Sequence, residues 1–210
     1  MRCFVICVAV LCAALTVATA VAGAQQATAE AGAPGFKDMS FKDKVGVCAA
    51  CHGPGGVSEA DGVPNLAGEP DLYVEWQLVY FRGDTRKNEA MQPFAHDLTD
   101  DDIRQLGAYF VTLPAPPGAA PDSDPAATQA GAKLATDRHC AQCHTDSFAG
   151  QGEIPRLAGQ REEVIAKALH DYQHGARRGR GNVIMPEIAY SMSEDDIREV
   201  AHFMSVQPAH

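Results

Sequence analysis

Two short segments of this 210-residue chain carry residues spaced for a defined chemistry: Cys48-Ala-Ala-Cys51-His52 and Cys140-Ala-Gln-Cys143-His144. Two cysteines three apart on a helical turn face one side, where their thiols can add to the two vinyl groups of a haem. The adjoining histidine then meets the iron, which is the spacing of c-type attachment. C-x-x-C twice is also the spacing of a four-cysteine zinc or iron–sulfur site, and in an oxidising compartment four cysteines suggest disulfides. Both alternatives leave the histidines without a role. A shared metal site would also have to bridge segments 92 residues apart. The expected cofactors are therefore two haem c groups, covalently held by Cys48 and Cys51 and by Cys140 and Cys143.

A haem iron needs a sixth ligand or an open face, and a thioether in that place raises its potential. Met91 and Met185 lie 39 and 41 residues after His52 and His144 and are the expected partners of those histidines. Met192 competes in the second half, but it aligns with Leu98 and reads as core. Met39 and Met204 have no counterpart.

The alignment rests on an internal repeat, the strongest organisational signal in the chain. Pro64-Asn-Leu-Ala-Gly68 returns as Pro155-Arg-Leu-Ala-Gly159 at an offset of 91. Met91-Gln-Pro-Phe-Ala95 returns as Met185-Pro-Glu-Ile-Ala189, and Thr99-Asp-Asp-Asp102-Ile103 as Ser193-Glu-Asp-Asp196-Ile197, both at 94. Order and spacing survive, so each half is one complete unit. The carbonyls of Pro64 and Pro155 are placed to accept the N–H of each histidine's other ring nitrogen and fix its orientation.

The elements that must position these residues are helices. Ser40 to Asp43 reads as a helix start in the first unit and Thr128 in the second. Middle helices are expected over Asp71 to Arg82 and from about Arg161 to His174. Each unit ends in a capped helix, Thr99 and Asp102 beginning one and Ser193 and Asp196 the other. Ile103, Leu106 and Phe110 face inward on the first, and Ile197, Val200 and Met204 on the second. No stretch alternates as a strand. Units of this size with so few large apolar residues bury little alone, and a haem supplies the missing core.

Residues 1–24 read as a signal peptide: Arg2, an apolar run from Cys3 to Val21, then Ala22-Gly23-Ala24. Retained, the same run is about long enough to anchor the chain in a membrane. Residues 25–35 form a polar lead-in expected to be disordered; 36–113 form the first domain, 114–128 a proline-rich linker and 129–210 the second domain. Without residues 1–24 the chain keeps 16 basic and 27 acidic side chains, a net charge of −11. Such a balance makes nucleic acid and anionic membrane surfaces poor partners and basic protein patches good ones. Residues 36–113 carry 7 basic and 13 acidic side chains, residues 129–210 9 and 11, and Arg177, Arg178 and Arg180 cluster before the second methionine. Trp76, Arg82, Arg86, Arg177 and Arg178 are candidates for bonding haem propionates.

The two C-x-x-C-H, P-x-L-x-G, M-x-x-x-A and S/T-x-x-D-I series together resemble tandem class I cytochrome c domains and are most similar to the dihaem cytochrome c4 family, over residues 36 to 208. The resemblance implies an all-α fold, His/Met ligation at both irons and periplasmic transfer of single electrons from a dehydrogenase or bc-type complex to a haem acceptor such as a terminal oxidase. Similar dihaem chains serve as subunits of flavoprotein or quinoprotein dehydrogenases. A dihaem peroxidase, which needs an open iron, fits less well because a methionine is in place for each.

The first expected outcome is stoichiometric: an intact mass after denaturation should show two haems. Cys140→Ala with Cys143→Ala should leave one.

Overall fold

The computed structural model describes residues 35–118, 121–177 and 183–208, so the expected signal peptide, nearly all of the lead-in, and Arg178 and Arg180 lie outside the described residues. Among the described residues no helix is long and apolar enough to cross a membrane.

The first half contains α1 (Phe41–His52), α2 (Asp71–Arg82), α3 (Gln92–His96) and α4 (Asp100–Phe110). Ser40 caps α1 by accepting the Asp43 N–H, and Thr99 with Asp102 forms a reciprocal capping box on α4, each satisfying end donors that a helix leaves open. The second half contains α5 (Pro125–Asp137), α6 (Ala141–His144), α7 (Glu162–Gln173), α8 (Ile184–Tyr190) and α9 (Glu194–Val206). Ser193 and Asp196 repeat the capping box on α9.

The repeat departs from itself at one place: α1 is continuous, whereas its counterpart is split into α5 and α6. His139 takes φ +55°, its N–H bonds the Thr136 carbonyl, and the Cys140 N–H bonds that of Ala135. That pair of bonds is a left-handed helix stop, with histidine where glycine is usual. The start of α5 also corrects the expectation. Its cap is Asp124, accepting from the Ala127 N–H, with Pro125 as first helical residue, so residues 125–128, expected to be linker, are helical. Proline suits that position because its missing N–H had no partner there.

Each half keeps its own core. The first gathers Val74, Leu98, Ile103, Leu106 and Phe110, and the second Ile165, Leu169, Tyr172, Met192, Ile197, Val200 and Met204 among others. The inward residues read from the two terminal helices are all buried. Met192 fills the place of Leu98, as the alignment expected. Ion pairs tie the opening helix to the capping acid of the last: Lys44 Nζ lies 2.8 Å from Asp102 Oδ1, and Arg138 Nη2 lies 3.6 Å from Asp196 Oδ2.

The described residues of the two halves pack as one body, and the linker is part of that packing. Gly68 and Gly159 both have positive φ, and a Cβ on them would meet Ala115 Cβ at 2.9 Å and the Pro116 carbonyl oxygen at 2.6 Å. The proline-rich segment therefore lies across both P-x-L-A-G loops. Further on, linker Asp122 Oδ1 lies 3.0 Å from His202 Nε2 of α9.

Burial pushes the Asp102 carboxyl upward, but its hydrogen bonds from Lys44 and Thr99 outweigh this and hold it below the usual carboxylate range. A depressed carboxyl contributes stability that is present above its unfolded pKa and is lost as pH falls through the folded one. Asp102→Ala removes a cap and leaves the buried Lys44 ammonium unpaired. It is expected to destabilise by ~3–5 kcal/mol in denaturant titration and to flatten the acid limb of the stability profile.

Candidate functional site

Helix α1 ends at His52, so Cys48, Cys51 and His52 lie on its last turns; Cys143 and His144 lie on α6, with Cys140 as its N-terminal flanking residue. All four thiols are unpaired. Cys48 packs against the first core and Cys140 against the second, so the two pairs belong to different halves and do not form a joint site. Burial pushes the Cys48 thiol up to about 11 and raises Cys140 as well.

Both histidines are buried. His52 Nδ1 lies 2.9 Å from the Pro64 carbonyl oxygen and His144 Nδ1 2.9 Å from that of Pro155. A carbonyl only accepts, so Nδ1 carries the proton and Nε2 is left with its lone pair. Burial lowers both imidazole pKa values, more than the carbonyl contact raises them, and a neutral ring is the form that binds metal. The carbonyls are held by matching turns. Leu66 and Ala67 N–H groups donate to the Gly56 carbonyl, and those of Leu157 and Ala158 to the Phe148 carbonyl.

Met91 and Met185 are both half-buried. Met91 is the N-terminal flanking residue of α3 and Met185 the second residue of α8. Asn88 accepts the Met91 N–H through its carbonyl and its side chain, at 3.1 and 3.0 Å.

The expected propionate partners separate. Arg82 is committed elsewhere, its Nη1 bonding the Leu98 carbonyl and its Nη2 Asp100. Arg86 lies over the Phe81 ring and donates to Gln77, while Trp76 stacks on Tyr80. Arg177 is only 5 % exposed: it lies over Tyr172 and donates to Tyr73 and Gln77 across the two halves. Its charge is therefore not available for docking a partner. Burial alone would lower its pKa, but the Tyr73 and Tyr172 hydroxyls keep it raised. Its Nε, and Nη1 of Arg156, are buried without a hydrogen-bond partner among the described residues. Buried donors in want of an acceptor, apolar cores, free thiol pairs and oriented imidazoles all suit an iron porphyrin that bears carboxylates.

The sequence reading missed the contact between the loops themselves. Asn65, Glu69, Arg156 and Gln160 are 3–8 % exposed and form a pseudo-two-fold clasp. The Asn65 N–H donates to Gln160 Oε1 at 2.9 Å and the Arg156 N–H to Glu69 Oε2 at 3.0 Å. Asn65 Nδ2 donates to the Gly159 carbonyl and Arg156 Nε to that of Gly68, each at 3.0 Å. Polar residues in matching positions of both loops were the available signal; in one unit alone they look like solvated surface.

The family described as "Cytochrome c" matches residues 128–207, and that described as "Cytochrome C oxidase, cbb3-type, subunit III" matches residues 32–110. Cytochrome c4 of Azotobacter vinelandii is 34% identical over 77% of this chain and 84% of its own length. The thiosulfate dehydrogenase electron acceptor of Stutzerimonas stutzeri is 35% identical over 75% of this chain and 77% of its own. The crystal structure of reduced cytochrome c4 from Pseudomonas stutzeri superimposes with a TM-score of 0.72 and 31% identity, covering 81% of this chain and 97% of that one. Two helical units, each with its own thiol pair and buried imidazole, define a c-type cytochrome with two covalently bound haems, an electron-transfer protein. The chain belongs to the dihaem cytochrome c4 family.

Proposed function

We propose that this protein is a periplasmic carrier that receives single electrons at one haem and delivers them from the other, with His52 and Met91 as the axial ligands of the first iron and His144 and Met185 of the second. Each haem, when bound, supplies a one-electron ferric/ferrous couple. The chain's own residues do the rest. Cys48, Cys51, Cys140 and Cys143 hold the two groups covalently, Pro64 and Pro155 orient the imidazoles, and the buried cores keep water away. A thioether favours the ferrous state and so raises the potential.

The observation that carries the two-ended reading is the unlike surface around the two methionines. Near Met91 lie the exposed acids Asp84, Glu89, Asp97 and Asp100. Beside Met185 stand exposed Val183, Ile184 and Tyr190. A basic partner suits the first face and an apolar one the second. The donor fits a dehydrogenase and the acceptor a terminal oxidase or another haem protein. Similarity to a thiosulfate dehydrogenase electron acceptor favours thiosulfate oxidation as one source of electrons, with the chain either diffusing or held as a subunit. Reduction by a purified thiosulfate dehydrogenase, with and without co-purification of the two chains, separates these cases.

Two outcomes test the ligands and the faces. Met185→Ala should abolish the far-red sulfur-to-iron band of the second haem and lower its potential, whereas Met192→Ala should keep the band and cost ~2–5 kcal/mol of stability through a core cavity; the reverse pattern would exchange the two methionines. In stopped-flow oxidation by a basic haem protein at low salt, Asp84→Lys with Glu89→Lys should slow the reaction by about tenfold or more, and Glu187→Lys beside Met185 should not. The difference should fade once the screening length falls to about 8 Å at physiological ionic strength.

A further inference from the structure

The clasp connects the two histidines through single peptide units. The Pro155–Arg156 peptide accepts from His144 Nδ1 at its carbonyl, 2.9 Å away, while its N–H donates to Glu69 Oε2 at 3.0 Å. The Pro64–Asn65 peptide accepts from His52 Nδ1 at 2.9 Å, and its N–H donates to Gln160 Oε1 at 2.9 Å. Each half thus reaches across and grips the peptide that holds the other half's histidine. The geometry is nearly two-fold, but the grips differ chemically, because a carboxyl takes hold of the second histidine's peptide and a neutral amide that of the first.

A hydrogen bond to an ionised acceptor is roughly twice as strong as a neutral one, and bonded chains polarise each other by perhaps 10–30% per link. A carboxylate on the N–H side of a peptide draws electron density onto its carbonyl oxygen. That oxygen then accepts more strongly from imidazole Nδ1–H, which makes Nε2 a stronger donor. A stronger donor stabilises ferric iron.

We propose that Glu69, a residue of the first half, is a positioning residue for the second haem: through the Pro155–Arg156 peptide it strengthens the hydrogen bond of His144 and sets the second iron's potential below the value that the neutral grip of Gln160 would give. The inference rests on the ligation proposed above. It makes the settings of the two histidines unlike through one side chain that bonds neither imidazole directly.

The charge on Glu69 is itself adjustable. Burial drives its carboxyl up to about 8 against the opposing pull of the Arg156 N–H, the Arg156 guanidinium, the Gln160 amide and the Arg177 guanidinium. Gln160 Nε2 lies 3.3 Å from its Oε1 and also donates to the Asn65 carbonyl. Arg156 and Arg177 are the charged groups acting on it, and Asn65 and Gln160 are neutral. The extra positive charge of a ferric iron favours the carboxylate, so the second haem's potential should fall as pH rises through the region of 8, and the first haem's much less.

The test is a redox titration of each haem in the holoprotein between pH 6 and 9, with the haems distinguished by their shifted haem-methyl NMR signals. Above pH 8, Glu69→Gln should raise the reduced-to-oxidised ratio of the second haem at fixed ambient potential by about tenfold, which is ~59 mV for a one-electron couple. It should also flatten that haem's pH dependence while leaving both sulfur-to-iron bands intact. The exchanged pair Glu69→Gln with Gln160→Glu keeps the net charge and moves the carboxyl to the other peptide, so it should lower the first haem's ratio instead. Equal shifts of both haems on Glu69→Gln would reveal a general field effect and overturn the proposal. No shift, or no reversal in the exchanged pair, would do the same. Failure of the ligation reading is distinguishable, because the sulfur-to-iron bands would then be wrong in the unsubstituted protein.

Discussion

The hydrogen bond between a buried histidine Nδ1 and a proline carbonyl, made once by His52 with Pro64 and once by His144 with Pro155, is the contact around which the molecule is arranged. A neutral imidazole presents one nitrogen to a metal while the other carries the proton, and that buried N–H left without a partner is costly. Satisfying it requires a carbonyl carried into the interior on a loop whose own amides are also satisfied. The matching turns onto Gly56 and Phe148 meet that need inside each half. On the far side, the remaining polar groups of each loop face the other half, and the clasp follows.

This constraint explains why two units joined by a proline-rich segment are not beads on a string. A loop burdened with inward-facing polar atoms is poorly covered by a core as small as that of either half, where Leu106, Ile197 and Met204 are the largest fully buried side chains. Packing the loops against each other covers both at once. Residues that would be solvated in a single-domain cytochrome, Asn65, Glu69, Arg156 and Gln160, become interior. Electrostatics at the join therefore act on both histidines, whereas the outer faces, with exposed acids flanking Met91 and exposed Val183, Ile184 and Tyr190 flanking Met185, are free to differ.

Much of this was legible in the sequence, for reasons that are local. C-x-x-C-H is a geometric requirement of covalent attachment, the capping boxes at Thr99 and Ser193 are dictated by unsatisfied helix amides, and the repeat identified Met192 with buried Leu98. Less was legible where tertiary contacts decide. Arg177 reads as a surface charge beside two other arginines, but stacking on Tyr172 and bonds to Tyr73 and Gln77 from the other half carry it inside. The helix break at His139 was hidden because histidine seldom adopts positive φ. The linker read as a spacer because its packing partners, Gly68 and Gly159, reveal nothing until the loops are placed in space.

The proposed ligation, His52 with Met91 and His144 with Met185 in one clasped molecule, is tested most directly by proton NMR of the fully reduced holoprotein. Two three-proton methionine methyl resonances, each displaced far upfield by the ring current of its own haem, are expected, with Met91→Ala removing one and Met185→Ala the other. A single displaced methyl, or none, would contradict the account.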